Sequence, residues 1–323
     1  VAEFEAAGRR PVIRFRTPES GETVIDDLVR GEVRFEHRLL GDTVLLRADG
    51  QPTYQLANPV DDMDHRITHV IRGEDLLPST PRQRLLVEAL GGTYPQTAHL
   101  AMVLGPDRKR LSKRHGATSV EEFRDAGYLP EAVINYLALV GWSFDDHTEI
   151  MSIDELVERF SLERVNPAPG VFDHQKLAWM NGVHLRALDA PAYAARLSSY
   201  LAEGGSPLAD EPRLAEAVPL VQEKLGVLAE FEDMAGFLFH DVDVQGDALA
   251  KVQADAAGSA RVLEAAAEAL AGVEEWGVES VEAALRGVCD ALGMKPRQAF
   301  LPLRVAVSGR TVSPGLFESV AFL

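Results

Sequence analysis

Cysteine is almost missing: the 323 residues contain one, Cys289. A single thiol forms no internal disulfide, and without a Cys/His cluster around it the sequence offers no zinc-ligand pattern. Cys289 falls in an apolar helical pattern, where a buried, inert thiol is the expected role. No run of about eighteen apolar residues occurs, so no segment reads as a membrane helix. The start, Val1-Ala2-Glu3-Phe4-Glu5, lacks the basic-then-apolar layout of a secretory signal, and a cytoplasmic location is expected. Positive charge is also scarce. Lysine and arginine number 32 against 50 aspartates and glutamates, a formal charge of −18 that argues against broad, non-specific affinity for nucleic acid. What remains is ordinary soluble-protein composition, 46% hydrophobic and 25% charged, in a chain long enough for two or more domains.

Against that acidity, residues 105–116 read Gly-Pro-Asp-Arg-Lys-Arg-Leu-Ser-Lys-Arg-His-Gly and place Arg108, Lys109, Arg110, Lys113 and Arg114 within seven positions. Like charges this close repel on a rigid element, and Gly105, Pro106 and Gly116 bracket them, so a loop is expected. With Ser112 as a hydroxyl donor, such a loop can clasp a polyphosphate, its cations stabilising the charge that develops as phosphate departs. A solvated basic turn fits the same residues. A second basic stretch lies near the carboxyl end, where residues 284–315 hold Arg286, Lys295, Arg297, Arg304 and Arg310 against the single Asp290. An acidic body with two basic poles suits a partner touched in defined places.

Alternating apolar and polar residues at 12–16, 31–35 and 43–47 predict a small β-rich region with charged edges, residues 23–30 serving as a short connecting segment. Tyr54 and Asn58, four apart, share one face if their stretch is helical. Val70-Ile71 predicts a buried strand ending at Arg72-Gly73, and ligands of open α/β sheets bind beyond the carboxyl ends of strands. An arginine there fits a carboxylate receptor whose fork pairs two oxygens. On the residues alone a surface bridge to Glu74 or Asp75 fits as well. Ser79-Thr80-Pro81 opens a helix that runs to Gly91, and residues 99–104 predict a buried strand feeding the basic loop, with His99 structural rather than a base.

Beyond the loop helices dominate. Capping boxes begin at Thr118, Ser119 and Ser152, residues 132–142 have helical spacing, and residues 171–182 predict a helix stopped by Gly182. Trp142 and Trp179 are expected as packing residues. After Arg186 the sequence becomes alanine-rich, with amphipathic helices expected at 192–203, 213–239 (with breaks at Pro219 and Gly226), 260–271 and 281–292, a helical bundle.

Arg110-Leu111-Ser112-Lys113-Arg114, followed by His115-Gly116, resembles the mobile ATP loop of class I aminoacyl-tRNA synthetases in the form typical of glutamyl-tRNA synthetases, with Arg110 where lysine is usual. Pro52-Thr53-Tyr54-Gln55-Leu56-Ala57-Asn58 and the stretch from Val70 to Gln83 are similar to the second half of that family's catalytic domain. Residues 295–297, 302–310 and 313–318 are similar to the end of its anticodon-binding cage. The resemblance implies an α/β plus all-α fold. It would comprise the end of a β-rich, acceptor-binding insertion (1–50), the second half of a Rossmann-type catalytic domain with the ATP loop (51–117), a helical stem-contact region (118–187) and a helical anticodon-binding domain (188–323). The implied activity is glutamate–tRNA ligation through glutamyl-adenylate, with ATP and Mg²⁺, acting on L-glutamate and tRNA(Glu) as a monomer with neither a zinc site nor a membrane contact.

By the same resemblance Tyr54, Asn58 and Arg72 bind glutamate, and Glu74, Asp75 and Leu76 lie near ATP. The backbone of Met102 and Val103 recognises adenine, while Arg110, Ser112, Lys113 and Arg114 attend the phosphates, Lys113 foremost. Lys295, Arg297, Arg304 and Arg310 are the expected tRNA contacts. The family's amino-terminal His-Ile-Gly-His signature does not occur here, so the chain reads as amino-terminally truncated, with little adenylation expected from it alone. Glutaminyl-tRNA synthetases end in β-barrels and tRNA-modifying paralogues lack the anticodon cage, so the helical carboxyl third disfavours both. A non-catalytic tRNA-binding module keeps the basic poles but leaves Tyr54, Arg72 and Lys113 without a task.

Overall fold

The structure is a computed structural model that describes residues 3, 6–8, 10–112, 114, 116, 118–244 and 246–323. The chain forms two compact units, one from residues 1–116 and 134–173, the other from residues 117–133 and 174–323.

In the first unit, β1 (Ile13–Phe15) is followed by a hairpin of β2 (Glu22–Asp27) and β3 (Gly31–Glu36). β4 (Thr43–Leu46) returns to pair antiparallel with β1. Then come helix α1 (Tyr54–Asp64), β5 (His69–Gly73), α2 (Thr80–Ala89) and β6 (Gln96–Leu100). The main sheet has the order β3-β2-β6-β5. β5 and β6 run parallel in the register His69↔Gln96 to Gly73↔Leu100, joined by α2, while β2 and β3 are antiparallel. Beyond β6, Trp142, Met151 and Leu156 form a small core.

The hairpin corrects the sequence expectation for residues 23–30. That segment is not a connection: Glu22–Asp27 is a strand inside the main sheet, paired on one side to β3 and on the other to β6 through Asp27↔Thr97. Its inward positions are Thr23, Ile25 and Asp27, all buried, so the period-2 signal is present but two of three core residues are polar. Asp27 is 3% exposed and is therefore no charged edge.

The second unit is helical. α3 (Val120–Asp125) opens with the expected capping box, in which the Ser119 hydroxyl accepts from the Glu122 N–H and the Glu122 carboxylate accepts from the Ser119 N–H. The helix α4 (Pro130–Gly141) starts in this unit and continues into the first, to which the boxed helix α5 (Ile153–Arg159) belongs. α6 (His174–Ala187), α7 (Ala190–Glu203), α8 (Leu214–Val221) and α9 (Phe231–Ala235) surround a core that includes Leu185, Tyr193, Leu197, Val218, Leu225 and Phe231. α10 (Gly246–Gln253), α11 (Ala256–Ala271), α12 (Val278–Leu292), α13 (Pro296–Ser308) and α14 (Leu316–Phe322) complete it, with a second core on Val262, Leu285, Val288 and Leu303. Cys289 is buried there, and burial raises its thiol pKa.

Two helix expectations change. α6 runs through Gly182 instead of stopping at it, the glycine keeping a helical backbone with the Arg186 side chain of the same helix and the Leu225 carbonyl beside it. Pro219 lies within α8, and the chain breaks after Val221, around Gly226. Trp142 is a packing residue at 4% exposure, whereas Trp179 is 49% exposed. Among the described residues no helix is long and apolar enough to cross a membrane.

Candidate active site

Arg72 stands at the carboxyl end of β5, and four of its guanidinium N–H groups are engaged. Nε donates to His99 Nε2 (3.2 Å), Nη1 to the Tyr54 hydroxyl (3.3 Å), and Nη2 to Thr80 Oγ1 (2.9 Å) and Gln83 Oε1 (3.0 Å). Tyr54 and Asn58 do share a face of α1. Tyr54 touches Arg72 directly, and the Asn58 carbonyl accepts from Gln83 Nε2 at 3.1 Å, so Asn58 reaches Arg72 through one intermediate. Of the two bare readings of Arg72, the surface bridge to Glu74 or Asp75 is not what forms. Glu74 pairs with Arg30 (2.5 Å).

At most one N–H of Arg72, on Nη1, is left for a ligand. The Tyr54 contact is the longest of the four and its residue is 49% exposed, so a displaced phenol would free a second N–H on the same nitrogen. Asp62, hydrogen-bonded to Asn58 (3.2 Å), has its pKa raised by burial, against which the charge of Arg72 works in the opposite direction. Tyr94 donates to Gln83 Oε1 (3.2 Å), and burial raises its pKa as well. Thr80, Gln83, Tyr94 and His99 were not expected as site residues. All are buried or half-buried polar groups on α2, β6 or the loop between them.

Beyond β5, Glu74 and Leu76 are half-buried and Asp75 is exposed in a short 3₁₀ segment, Glu74–Ser79. Gly73 lets the Asp75 carboxylate fold back on the turn: a methyl there would lie 2.6 Å from Asp75 Oδ1 and push that side chain aside. The expected adenine groups are partly committed within the protein. Met102 N–H donates to Glu74 Oε1 (3.2 Å) and the Val103 carbonyl accepts from Leu111 N–H (3.0 Å). The groups left, Met102 C=O and Val103 N–H, belong to one trans peptide and point opposite ways, so a single ligand edge meets only one of them.

The basic stretch forms a tight turn. Arg108 N–H bonds to Gly105 C=O (2.9 Å) and Gly105 N–H to Lys109 C=O (2.8 Å), with Arg108 left-handed at φ 58° and Leu104 bridged to Arg110. This is the three-residue hairpin geometry, with arginine where glycine is common. The turn is tied to the first unit by Leu104 N–H to Gly170 C=O (2.9 Å) and Phe172 N–H to Leu104 C=O (2.8 Å). Arg108, Lys109, Arg110 and Ser112 are exposed, and Arg114 pairs with Asp107 at 2.8 Å. Lys113 and His115 lie outside the described residues. Because Gly73 and Leu100 are register partners in parallel strands, the turn and Arg72 both follow the carboxyl edge of one sheet.

At the other pole the four expected tRNA contacts divide. Lys295 and Arg297 are exposed at the start of α13. Arg304 is used internally, its Nη1 donating to Ser313 Oγ (2.6 Å) and to the carbonyls of Pro314 (2.8 Å) and Ser313 (3.3 Å). Arg310 pairs with Asp233 at 2.7 Å, both side chains exposed. Among the described residues no group of three or more His, Cys, Asp or Glu is arranged to hold a metal.

Residues 1–179 match the family of tRNA synthetases class I (E and Q), catalytic domain, and residues 192–323 match an anticodon binding domain. The chain is 44% identical to the glutamate–tRNA ligase of Herpetosiphon aurantiacus, over all of this chain and 67% of that protein. The chain belongs to the glutamate–tRNA ligase family of class I synthetases. It is also 46% identical to the Saccharopolyspora erythraea member, with all of this chain and 66% of that one covered. The crystal structure of a glutamate–tRNA ligase from Elizabethkingia meningosepticum, solved in complex with its amino acid, superposes with a TM-score of 0.82 at 30% identity, covering 99% of this chain and 67% of that one. The chain thus spans about two thirds of the length of the curated relatives it matches. The mixed sheet followed by helices is the α/β plus all-α arrangement expected from the sequence.

Proposed function

We propose that the chain carries the glutamate-binding and nucleotide-facing part of a glutamate–tRNA ligase, which joins L-glutamate to tRNA(Glu) through glutamyl-adenylate at the expense of ATP. The observation that carries this is the convergence of Tyr54 and Asn58 on Arg72 at the carboxyl end of a parallel strand. A guanidinium held on three sides offers its remaining N–H to a carboxylate, and movement of Tyr54 extends the grip to two. An amide in place of that carboxylate gives an acceptor oxygen to one of those two N–H groups and sets its NH₂ against the other, and carries no charge to pair, so glutamine is disfavoured. Arg72 binds and orients; the carboxylate to be activated is left to attack the α-phosphorus, with pyrophosphate leaving. The tRNA hydroxyl then attacks the adenylate carbonyl and AMP leaves.

Arg110, Ser112, Lys113 and Arg114 attend the ATP phosphates from the basic turn, Lys113 supplying a charge that gains as negative charge shifts to the leaving group. Val103 N–H or Met102 C=O meets the base beside Leu76, with Glu74 and Asp75 nearby. Mg²⁺ arrives on the triphosphate. Lys295 and Arg297 contact tRNA phosphates, with Arg310 available once its exposed pair with Asp233 opens. The protein works as a cytoplasmic monomer. Isothermal titration of the chain with L-glutamate, L-glutamine and ATP tests the core of this. Glutamate binds in preference to glutamine, and Arg72→Gln removes glutamate binding while ATP binding persists. Equal glutamate affinity in the Arg72→Gln chain would refute the assignment.

A further inference from the structure

The buried carboxylate of Asp27, on the β2–β3 hairpin, touches neither expected ligand, yet bonds converge on it from both sides of the site. Its Oδ1 accepts three backbone N–H groups, from His99 (3.0 Å), Arg30 (3.0 Å) and Val29 (3.1 Å). Its Oδ2 lies 2.6 Å from His99 Nδ1, with both side chains fully buried. A carboxylate so placed accepts, so the proton of His99 sits on Nδ1 and the lone pair on Nε2. Nε2 faces Arg72 Nε–H at 3.2 Å, and that N–H needs an acceptor. On the other side Arg30, whose backbone Asp27 fixes, donates from Nε to the His99 carbonyl (3.1 Å) and pairs through Nη2 with Glu74, which in turn accepts from Met102 N–H.

We propose that Asp27 is a positioning residue for both halves of the substrate site, setting the His99 tautomer that orients Arg72 and, through Arg30, the Glu74 carboxylate that anchors the Met102 N–H and so the start of the Met102-Val103 peptide. This rests on Arg72 as the glutamate receptor and on that peptide as a nucleotide contact. A second-layer carboxylate that fixes an imidazole tautomer is a recurrent device for aiming the group beyond it.

Asp27→Asn isolates the effect because it is nearly isosteric. If the asparagine keeps its oxygen on the three backbone N–H groups, its NH₂ faces His99 Nδ1. The ring must then accept there and carry its proton on Nε2, where Thr80 Oγ1, 3.2 Å away, can take it while Arg72 Nε–H loses its acceptor. If the amide turns round, its NH₂ opposes the three backbone donors instead.

The experiment is side-chain ¹⁵N NMR of the chain and its Asp27→Asn variant. His99 is read by two-bond correlations and the Arg72 Nε–H directly, each during titration with L-glutamate and then ATP. The wild type is expected to show His99 protonated on Nδ1. In the variant the proton moves to Nε2, the Arg72 Nε–H shifts and exchanges faster, and L-glutamate binding weakens roughly tenfold or more, the scale of a lost hydrogen bond to a charged group. A wild-type His99 protonated on Nε2, or a variant with unchanged His99 and Arg72 signals, would overturn the proposal. If Asp27→Asn fails to fold, the wild-type tautomer alone decides. If instead the tautomer is as stated but Arg72 ignores L-glutamate, the receptor assignment fails and the positioning of Arg72 by Asp27 stands.

Discussion

Asn181 offers a test of how the second unit is held together. It is completely buried on α6, with Oδ1 accepting Leu129 N–H (2.7 Å) and Nδ2 donating to the Gly226 carbonyl (2.6 Å). One side chain thereby fastens the segment before α4 to the break between α8 and α9. The same two segments meet again where Gly127 C=O accepts Leu228 N–H at 3.0 Å. Asn181→Ala removes both partners at once. The buried Leu129 N–H pays the full desolvation cost, about 1–3 kcal/mol, while Gly226, which is half-exposed, recovers part of its loss from water. The sum is about 2–4 kcal/mol. At roughly 2–4 °C per kcal/mol for a unit of this size, the melting midpoint should fall by about 5–15 °C. Circular dichroism melts give the midpoint, and hydrogen exchange at the Leu129 amide localises the effect. A midpoint within about 1 °C of wild type, with Leu129 still protected, would refute the reasoning. Asn181→Asp sharpens it, because a carboxylate oxygen then confronts the Gly226 carbonyl, acceptor against acceptor, and a comparable loss is expected.

Arg297→Glu should weaken tRNA binding with no change in melting midpoint, and should reduce the salt dependence of binding by roughly one phosphate contact. Arg304→Gln, which strips the Ser313 and Pro314 acceptors of their donor, should instead cost about 1–3 kcal/mol of stability, and filter binding together with thermal melts separates the two behaviours. In the loop after α4, backbone N–H groups of Thr148 and His147, joined by the Thr148 hydroxyl, lower the pKa of exposed Asp145 from 3.8 to about 2. A lowered carboxylate pKa adds stability above the unfolded value and loses it as pH falls toward 2. A carboxyl-detected NMR titration should place the Asp145 midpoint near 2 and move it up in Thr148→Ala.

The elements that were legible in the sequence are those whose signal is local. Ser119 with Glu122 and Ser152 with Glu155 announce their helices, because a capping box needs only residues three apart. Gly293 and Gly309 end α12 and α13 in the left-handed region, at φ 62° and 69°. Gly182 carries the same letter and does not stop α6, because its backbone stays helical instead of turning left-handed, and the Leu225 carbonyl beside it arrives only once the unit has folded. β2 was hidden for a related reason. Thr23 and Asp27 hold inward positions that the hydrophobic period reserves for apolar residues, and their partners, His37 and His99, lie 14 and 72 residues away.

The candidate site divides along the same line. Tyr54, Asn58 and Arg72 could be picked out because the strings around them resemble those of the family, and Arg72 marks the end of a strand. The residues that hold Arg72 in place belong to other elements: Thr80 and Gln83 are 8 and 11 residues on, and His99 is 27. No window of the sequence joins them. Parity was nevertheless a usable signal. Once Ile25 is placed inward on a strand, Asp27 must be inward too, and a carboxylate at 3% exposure has to find donors. His99, flanked by buried Ala98 in a strand otherwise read as apolar, was an inward polar residue still without a partner. Two such residues on parallel neighbours of one sheet satisfy each other, and the register that sets His99 beside Arg72 carries the link from β2 to Arg72.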